Sequence, residues 1–186
     1  MKLIKTDIDS LLIVQSNVFS DARGFFFEGY NKKTWAEAGL DLDIVQTNIS
    51  ESQAGVVRGL HFQNPPYAQG KLIRVLKGAV LDVAVDIRKN SKSYGQHFAI
   101  ELNEKNKDAL WIPPGFAHGF RTLEDNTLFY YDCTGAYNKE SEGSLRWNDP
   151  DLSIDWGIEN PILSEKDACA PLFKDFTTQF QLRVRC

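Results

Sequence analysis

The sequence predicts an all-β fold, a small barrel or double-sheet sandwich, on three observations. Short runs rich in Val, Ile, Leu, Phe and Tyr recur roughly every ten residues between Val56 and Cys133. Gly, Pro, Asn and Asp separate them, as at Lys77-Gly78, NSKSYG (residues 90–95), Pro113-Pro114-Gly115 and Glu124-Asp125-Asn126. No helical crossover pattern lies between the runs, which argues against a parallel α/β sheet.

Taken in order, residues 1–15 alternate weakly and then run apolar through Leu11, Leu12, Ile13 and Val14, which predicts a strand. SDARGFFFEGYN holds an Asp-Ala-Arg-Gly turn followed by three phenylalanines. Asn31 to Gly39 reads as a short helix, with Lys, Glu and Ala inside and Gly39 as its stop. Asp41 to Ser50 reads as a strand whose alternation puts Gln46 and Asn48 on one face. Further strands are expected from Val56 onward, then over Leu72–Leu76, Val80–Ile87, Tyr94–Leu102, Ala109–Ile112, Phe116–Leu123 and Thr127–Cys133. After Gly135 the chain is rich in Asn, Asp, Glu and Ser, with Trp147 and Trp156 as isolated anchors. It reads as loops packed over the outside of the sheets, followed by a short helix over Ser164–Ala170 and a tail beyond Phe176.

At 186 residues, with 42% hydrophobic and 25% charged residues, the chain is expected to form one domain, 1–186, with an ordinary core. A net charge of -4 and the lack of a basic, aromatic-interleaved stripe argue against nucleic acid. No apolar run is long enough to span a bilayer, and the N-terminus does not resemble a signal peptide, so no membrane partner and a cytoplasmic location are expected. Cys133, Cys169 and Cys186 are odd in number and have no metal-knuckle spacing, consistent with free thiols.

GVVRGLHFQNPPYAQGK, residues 55–71, carries more polar tips than a merely buried strand needs: Arg58, His61, Gln63, Gln69 and Lys71. It reads as one wall of a polar pocket. A second wall is marked by His118 in PPGFAHGF, which resembles the second motif of the cupin superfamily, where a Pro-Gly turn aims a His into a small barrel. In metal-binding cupins the first motif supplies an H-x-H pair. Here that pair would be His61 and Gln63, and an amide is a poor ligand. No metal is therefore expected. In such a barrel a neutral His suits proton abstraction beside a carbonyl, a carboxylate can orient it, and a Lys can stabilise the enolate oxygen. A Tyr on the opposite face can return a proton, and base and acid on opposite faces invert a carbon centre.

The resemblance then becomes specific. FSDARGFFFE, QTNISES, RGLHFQ, AQGKL, DVAVDIR, SYGQH, WIPPGFAHGF, EGSLRWNDP and LSEKDA occur in this order. Together they resemble the dTDP-4-dehydrorhamnose 3,5-epimerase family over about residues 17–172. The resemblance implies a cupin-type double-stranded β-helix (jelly-roll) with a few short peripheral helices. It also implies a homodimer, no cofactor, and a dTDP-4-keto-6-deoxy sugar inverted at C3 and C5. The alternative within the same chemistry is inversion of one carbon, or a ketone shift, on a related nucleotide sugar.

Carried over by motif, His61 matches the general base, Asp167 its carboxylate partner, Tyr131 the general acid and Lys71 the residue facing the keto oxygen. Asp82 and His118 match a second carboxylate–imidazole pair near the substrate. Arg23 and Arg58 match contacts to the diphosphate region, Tyr137 a stacking contact to the thymine, and Glu28, Gln46, Asn48, Glu142 and Lys166 further substrate contacts. The segment of about residues 1–50 is implied to reach the partner subunit, with Arg23 and Glu28 acting there. From the residues alone, Ser164-x-x-Asp167 equally fits a capping box, and a single carboxylate cannot serve both roles fully. Tyr130 is the register hazard beside Tyr131, because a slip of one residue exchanges the faces. Arg23 could simply close its turn.

Overall fold

The computed structural model describes residues 1–182. The N-terminal strand divides in two, β1 (Lys2–Lys5) and β2 (Leu12–Gln15), which pair antiparallel. Ser10, at φ 71°, turns the chain between them. A hairpin follows, β3 (Phe19–Asp21) and β4 (Gly24–Phe26), where the sequence had shown only its turn. Helix α1 (Lys32–Glu37) starts at Asn31, whose side chain accepts from the Lys33 and Thr34 amides, and stops at Gly39, φ 95°.

The strand expected from Asp41 begins only at Gln46, as β5 (Gln46–Ser52). Leu40 and Leu42 instead bury beside Trp35 of α1, and the Tyr30 hydroxyl donates to the Leu42 carbonyl. Strands β6 (Val57–Gln63), β7 (Lys71–Lys77) and β8 (Ala79–Asp86) come next. Strand β9 (His97–Asn103) starts three residues later than expected from Tyr94, because Tyr94, Gly95 and Gln96 lie in the turns that return the chain to Asp86. Strands β10 (Ala109–Ile112), β11 (Phe116–Thr122) and β12 (Thr127–Cys133) match their runs to within a residue. The loop region contributes one unforeseen strand, β13 (Glu142–Ser144), and then α2 (Glu165–Ala168).

Two antiparallel sheets face each other, in the orders β1-β2-β10-β7-β12-β5 and β13-β6-β11-β8-β9. Successive strands such as β7 and β8 fall in different sheets, so the chain winds back and forth between the layers. Period-two alternation then assigns the side chains of the regular strands. Ile73, Val75, Val80, Ala84, Phe120 and Phe129 fill the space between the sheets. Val57, Leu60, Phe62, Val83 and Val85 point the other way, under the loop region, where the Trp156 indole donates to the Trp147 carbonyl. The tail beyond Phe176 docks there too, by buried Phe180 and a bridge from Gln181 to Lys89. Leu72, Ala109 and Trp111 lie outside the other sheet, against α1.

One irregularity decides the site. Across β6 and β11, His118 pairs His61 and Phe120 pairs Arg58, so β6 spends three residues where β11 spends two. This bulge lets Arg58 and His61, three apart, both line the interior. Gly59, at φ 135°, lies in it, and a Cβ there would sit 2.5 Å from the Gly119 Cα. Gly59→Ala is therefore expected to destabilise the fold by more than about 3 kcal/mol, read from the denaturant midpoint.

Candidate active site

Between the sheets lies a cavity of about 440 Å³. A narrower one of about 140 Å³ adjoins it. His61, Lys71 and Tyr131 line both. They come from three strands in two sheets, each at an inward position. Tyr130 takes the outward position beside Tyr131, and its hydroxyl donates to Asp132.

His61 Nε2 is 2.5 Å from Asp167 Oδ1. The two readings of Asp167 are reconciled by its two oxygens. Oδ1 faces His61, while Oδ2 accepts from the Ser164 hydroxyl at 2.8 Å. That hydroxyl caps α2 by accepting from the Asp167 amide at 3.1 Å. The carboxylate thus meets the capping side chain rather than the cap amide used in an ordinary capping box. Asp167 is buried, and burial raises its pKa. The His61 hydrogen bond and charge, with the Ser164 hydroxyl, outweigh this and hold it below the ordinary carboxylate value. An ionised Asp167 accepts the proton of Nε2. Nδ1, which has no partner among the described residues, is then the free lone pair of the neutral ring.

Lys71 makes no ion pair among the described residues; its ammonium lies 5.9 Å from the centre of the Tyr131 ring. Burial pushes its pKa down, against weaker pulls from Cys133, Asp82 and Glu142. His118 Nε2 is 2.9 Å from Asp82 Oδ2, both groups deeply buried. Burial pushes His118 down, Asp82 opposes, and the charges of Lys71 and His61 push it down further. The second oxygen of Asp82 is buried without a partner among the described residues. Burial raises Tyr131, which keeps its phenol protonated.

Arg58 lines the larger cavity with its guanidinium held, among the described residues, only by Ser52 Oγ, 3.2 Å from Nε and from Nη2. Lys166, on the same cavity, pairs with Glu142 of the narrower one at 2.7 Å. Gln46 donates to Asn48 Oδ1 and accepts from the amide of Tyr137, whose ring is mostly exposed. Asp82 stands behind His118 rather than on the cavity wall. Arg23 and Glu28 are not brought to the site within this chain. Arg23 closes the hairpin on Asp21 at 2.6 Å, and Glu28 accepts from Asn31 and Thr34.

The structure also adds residues the motifs did not single out. Ser50 and Cys133 line the cavities, each two residues along the inward row from Asn48 and Tyr131, so strand alternation alone pointed to them. Phe120 and Phe129 stack at 3.9 Å as an apolar floor. Gln63 turns its amide to the carbonyls of Tyr67 and Ala136 and the amide of Asn138, holding the loops that carry Tyr137. Cys133 and Cys169 are free thiols, and Cys186 lies outside the described residues.

The family model for dTDP-4-dehydrorhamnose 3,5-epimerase matches residues 5–175. The chain belongs to the dTDP-4-dehydrorhamnose 3,5-epimerase family. The epimerase of Salmonella typhimurium is 51% identical, over 92% of this chain and 95% of its own. The structure of dTDP-6-deoxy-D-glucose-3,5-epimerase from Legionella pneumophila, in complex with dTDP-4-keto-L-rhamnose, is 44% identical with a TM-score of 0.92. It covers 100% of this chain and 99% of its own. ChmJ of Streptomyces bikiniensis, a 3'-monoepimerase solved with dTDP-quinovose, is 30% identical with a TM-score of 0.85, over 90% and 85% of the two chains. The fold is the cupin-type jelly-roll of these epimerases.

The depressed pKa of buried His118 has a consequence for stability. The unfolded side chain takes up a proton near its ordinary value of 6.5, and the folded one only at lower pH. Its contribution is therefore complete above that value and is lost as pH falls toward the folded pKa. The slope is at most about 1.4 kcal/mol per pH unit. Denaturation midpoints measured from about pH 7.5 down to about pH 5 are expected to fall, and to fall less in His118→Gln.

Proposed function

We propose that this chain inverts C3 and C5 of dTDP-4-dehydro-6-deoxy-D-glucose to give dTDP-4-dehydro-L-rhamnose. The observation that carries the reading is the joint exposure of His61, backed by Asp167, and of Tyr131 and Lys71 to one cavity. His61 Nδ1 takes the proton from a carbon beside the C4 ketone, and Asp167 stabilises the imidazolium. The Lys71 ammonium donates to the oxygen as the enolate forms. Tyr131 returns a proton to the opposite face, and solvent restores both groups. The sequence runs once at each carbon. Both protons exchange without net oxidation, so no nicotinamide is called for. Arg58 and Lys166 supply cationic contacts for a diphosphate.

We place the enzyme in the cytoplasm and read it as a homodimer in which the β3–β4 arm crosses to the second copy. Phe19, Phe25 and Phe26 are each more than half exposed on that arm, too much apolar surface for three neighbouring residues facing water. Arg23 and Glu28 then complete the partner's site.

Incubation with the keto sugar in deuterated water is expected to label C3 and C5. Label at one carbon would instead make this a mono-epimerase of the ChmJ kind. His61→Asn is expected to slow exchange by about 10²–10⁴-fold. Tyr131→Phe is expected to keep exchange on the His61 face while losing inversion. Because burial lowers Lys71, kcat/KM is expected to decline at alkaline pH, starting below the ordinary lysine value of 10.5. That limb should vanish from the residual activity of Lys71→Arg. For the arm, inactive His61→Asn mixed and refolded with impaired Arg23→Ala is expected to regain activity, since one site of the mixed dimer holds both native groups. An arm acting within its own chain gives no recovery.

A further inference from the structure

Arg74 lies on β7 between the inward residues Ile73 and Val75, so it points to the outer face of its sheet. It is 5% exposed. No carboxylate lies within ion-pair distance of it among the described residues. A buried cation without a carboxylate is costly, and an apolar side chain would cover the same surface at less cost. What the guanidinium does hold is specific. Nη1 donates to the Ser16 hydroxyl at 3.3 Å, and Nη2 to the Gly29 carbonyl at 3.3 Å. The group also stacks 4.9 Å from the centre of the Phe27 ring. Ser16 precedes the β3–β4 hairpin, and Phe27 and Gly29 follow it. The remaining contact is Nη1 to the Lys107 carbonyl at 2.6 Å, and the Lys107 ammonium lies 4.2 Å from the Phe25 ring centre on the hairpin itself.

We propose that Arg74 is a positioning residue for the arm: one rigid fork grips the chain on both sides of the hairpin and sets where Arg23 and Glu28 are presented. A planar group with several divergent donors can hold a side-chain hydroxyl before the hairpin and a backbone carbonyl after it at a set distance. The inference rests on the reading that the arm completes a second copy's site. Arg74 touches neither cavity, so its effect must pass through the arm.

The test is a double-mutant cycle of Arg74→Met and Arg23→Ala in the full-length enzyme, read as KM and kcat for the keto sugar. Arg74→Met alone is expected to raise KM about fivefold or more and to leave kcat within about twofold. In the Arg23→Ala background it should add clearly less to KM than it does alone, the remainder being its effect through Glu28. Arg74→Lys, which keeps the charge but not the fork, is run in the same cycle, so an Arg74→Met that fails to fold does not end the test; a smaller KM effect with the same coupling is expected. Equal, additive losses in both backgrounds, or a fall in kcat alone, overturn the proposal and leave Arg74 a packing residue. If Arg23→Ala by itself leaves KM unchanged, the arm reading has failed, and the proposal falls with it by a distinguishable route.

Discussion

The backbone contact between Gly59 and Gly119 is the constraint on which the site depends. Two strands approach so closely there that neither position has room for a Cβ. The closeness accompanies a bulge, and the bulge breaks the two-residue alternation of β6. Without it Arg58 and His61, three residues apart, would face opposite sides of the sheet. With it, a guanidinium and an imidazole share a cavity while Leu60 and Phe62 stay in the outer core.

Around that backbone the interior is an exercise in holding ionisable groups out of water. Asp167 keeps its charge because one oxygen meets His61 and the other meets a hydroxyl tied to its own helix cap. His118 is held against Asp82, yet burial wins and keeps the ring inclined to neutrality. Lys71, like Arg58 on the same cavity, is a cation with no ion-pair partner among the described residues. Burial holds the Lys71 pKa below the ordinary lysine value, and in the proposed reaction an oxyanion forming beside it would relieve that deficit. Stability and chemistry thus draw on one electrostatic arrangement.

Away from the cavity, the arm inverts the usual economy of a small domain. Its phenylalanines face outward, while a buried guanidinium is retained at its root. Such an arrangement is costly for an isolated chain and sensible for one whose arm is to be presented to another surface in a defined pose.

Much was legible in the sequence because a half-buried strand writes itself as alternation and a turn as Gly, Pro or Asn. Strands β10 and β12 were read to the residue, as was the Gly39 stop of α1. The same alternation placed Gln46 with Asn48. What failed were segments whose burial is decided by distant neighbours: Leu42 packs under α1 instead of extending β5, and β13 exists because β6 offers it an edge. The motifs determined which groups the chain brings to proton chemistry and to the family. Tertiary structure alone decided three further matters. The oxygens of Asp167 divide between the Ser164 cap and His61, since that requires α2 to dock on β6. Arg58 and His61 share a face, since parity across a bulge is set by the partner strand. Arg74 of β7 meets the chain on both sides of the β3–β4 hairpin, since a contact between segments so far apart in sequence leaves no local pattern to read.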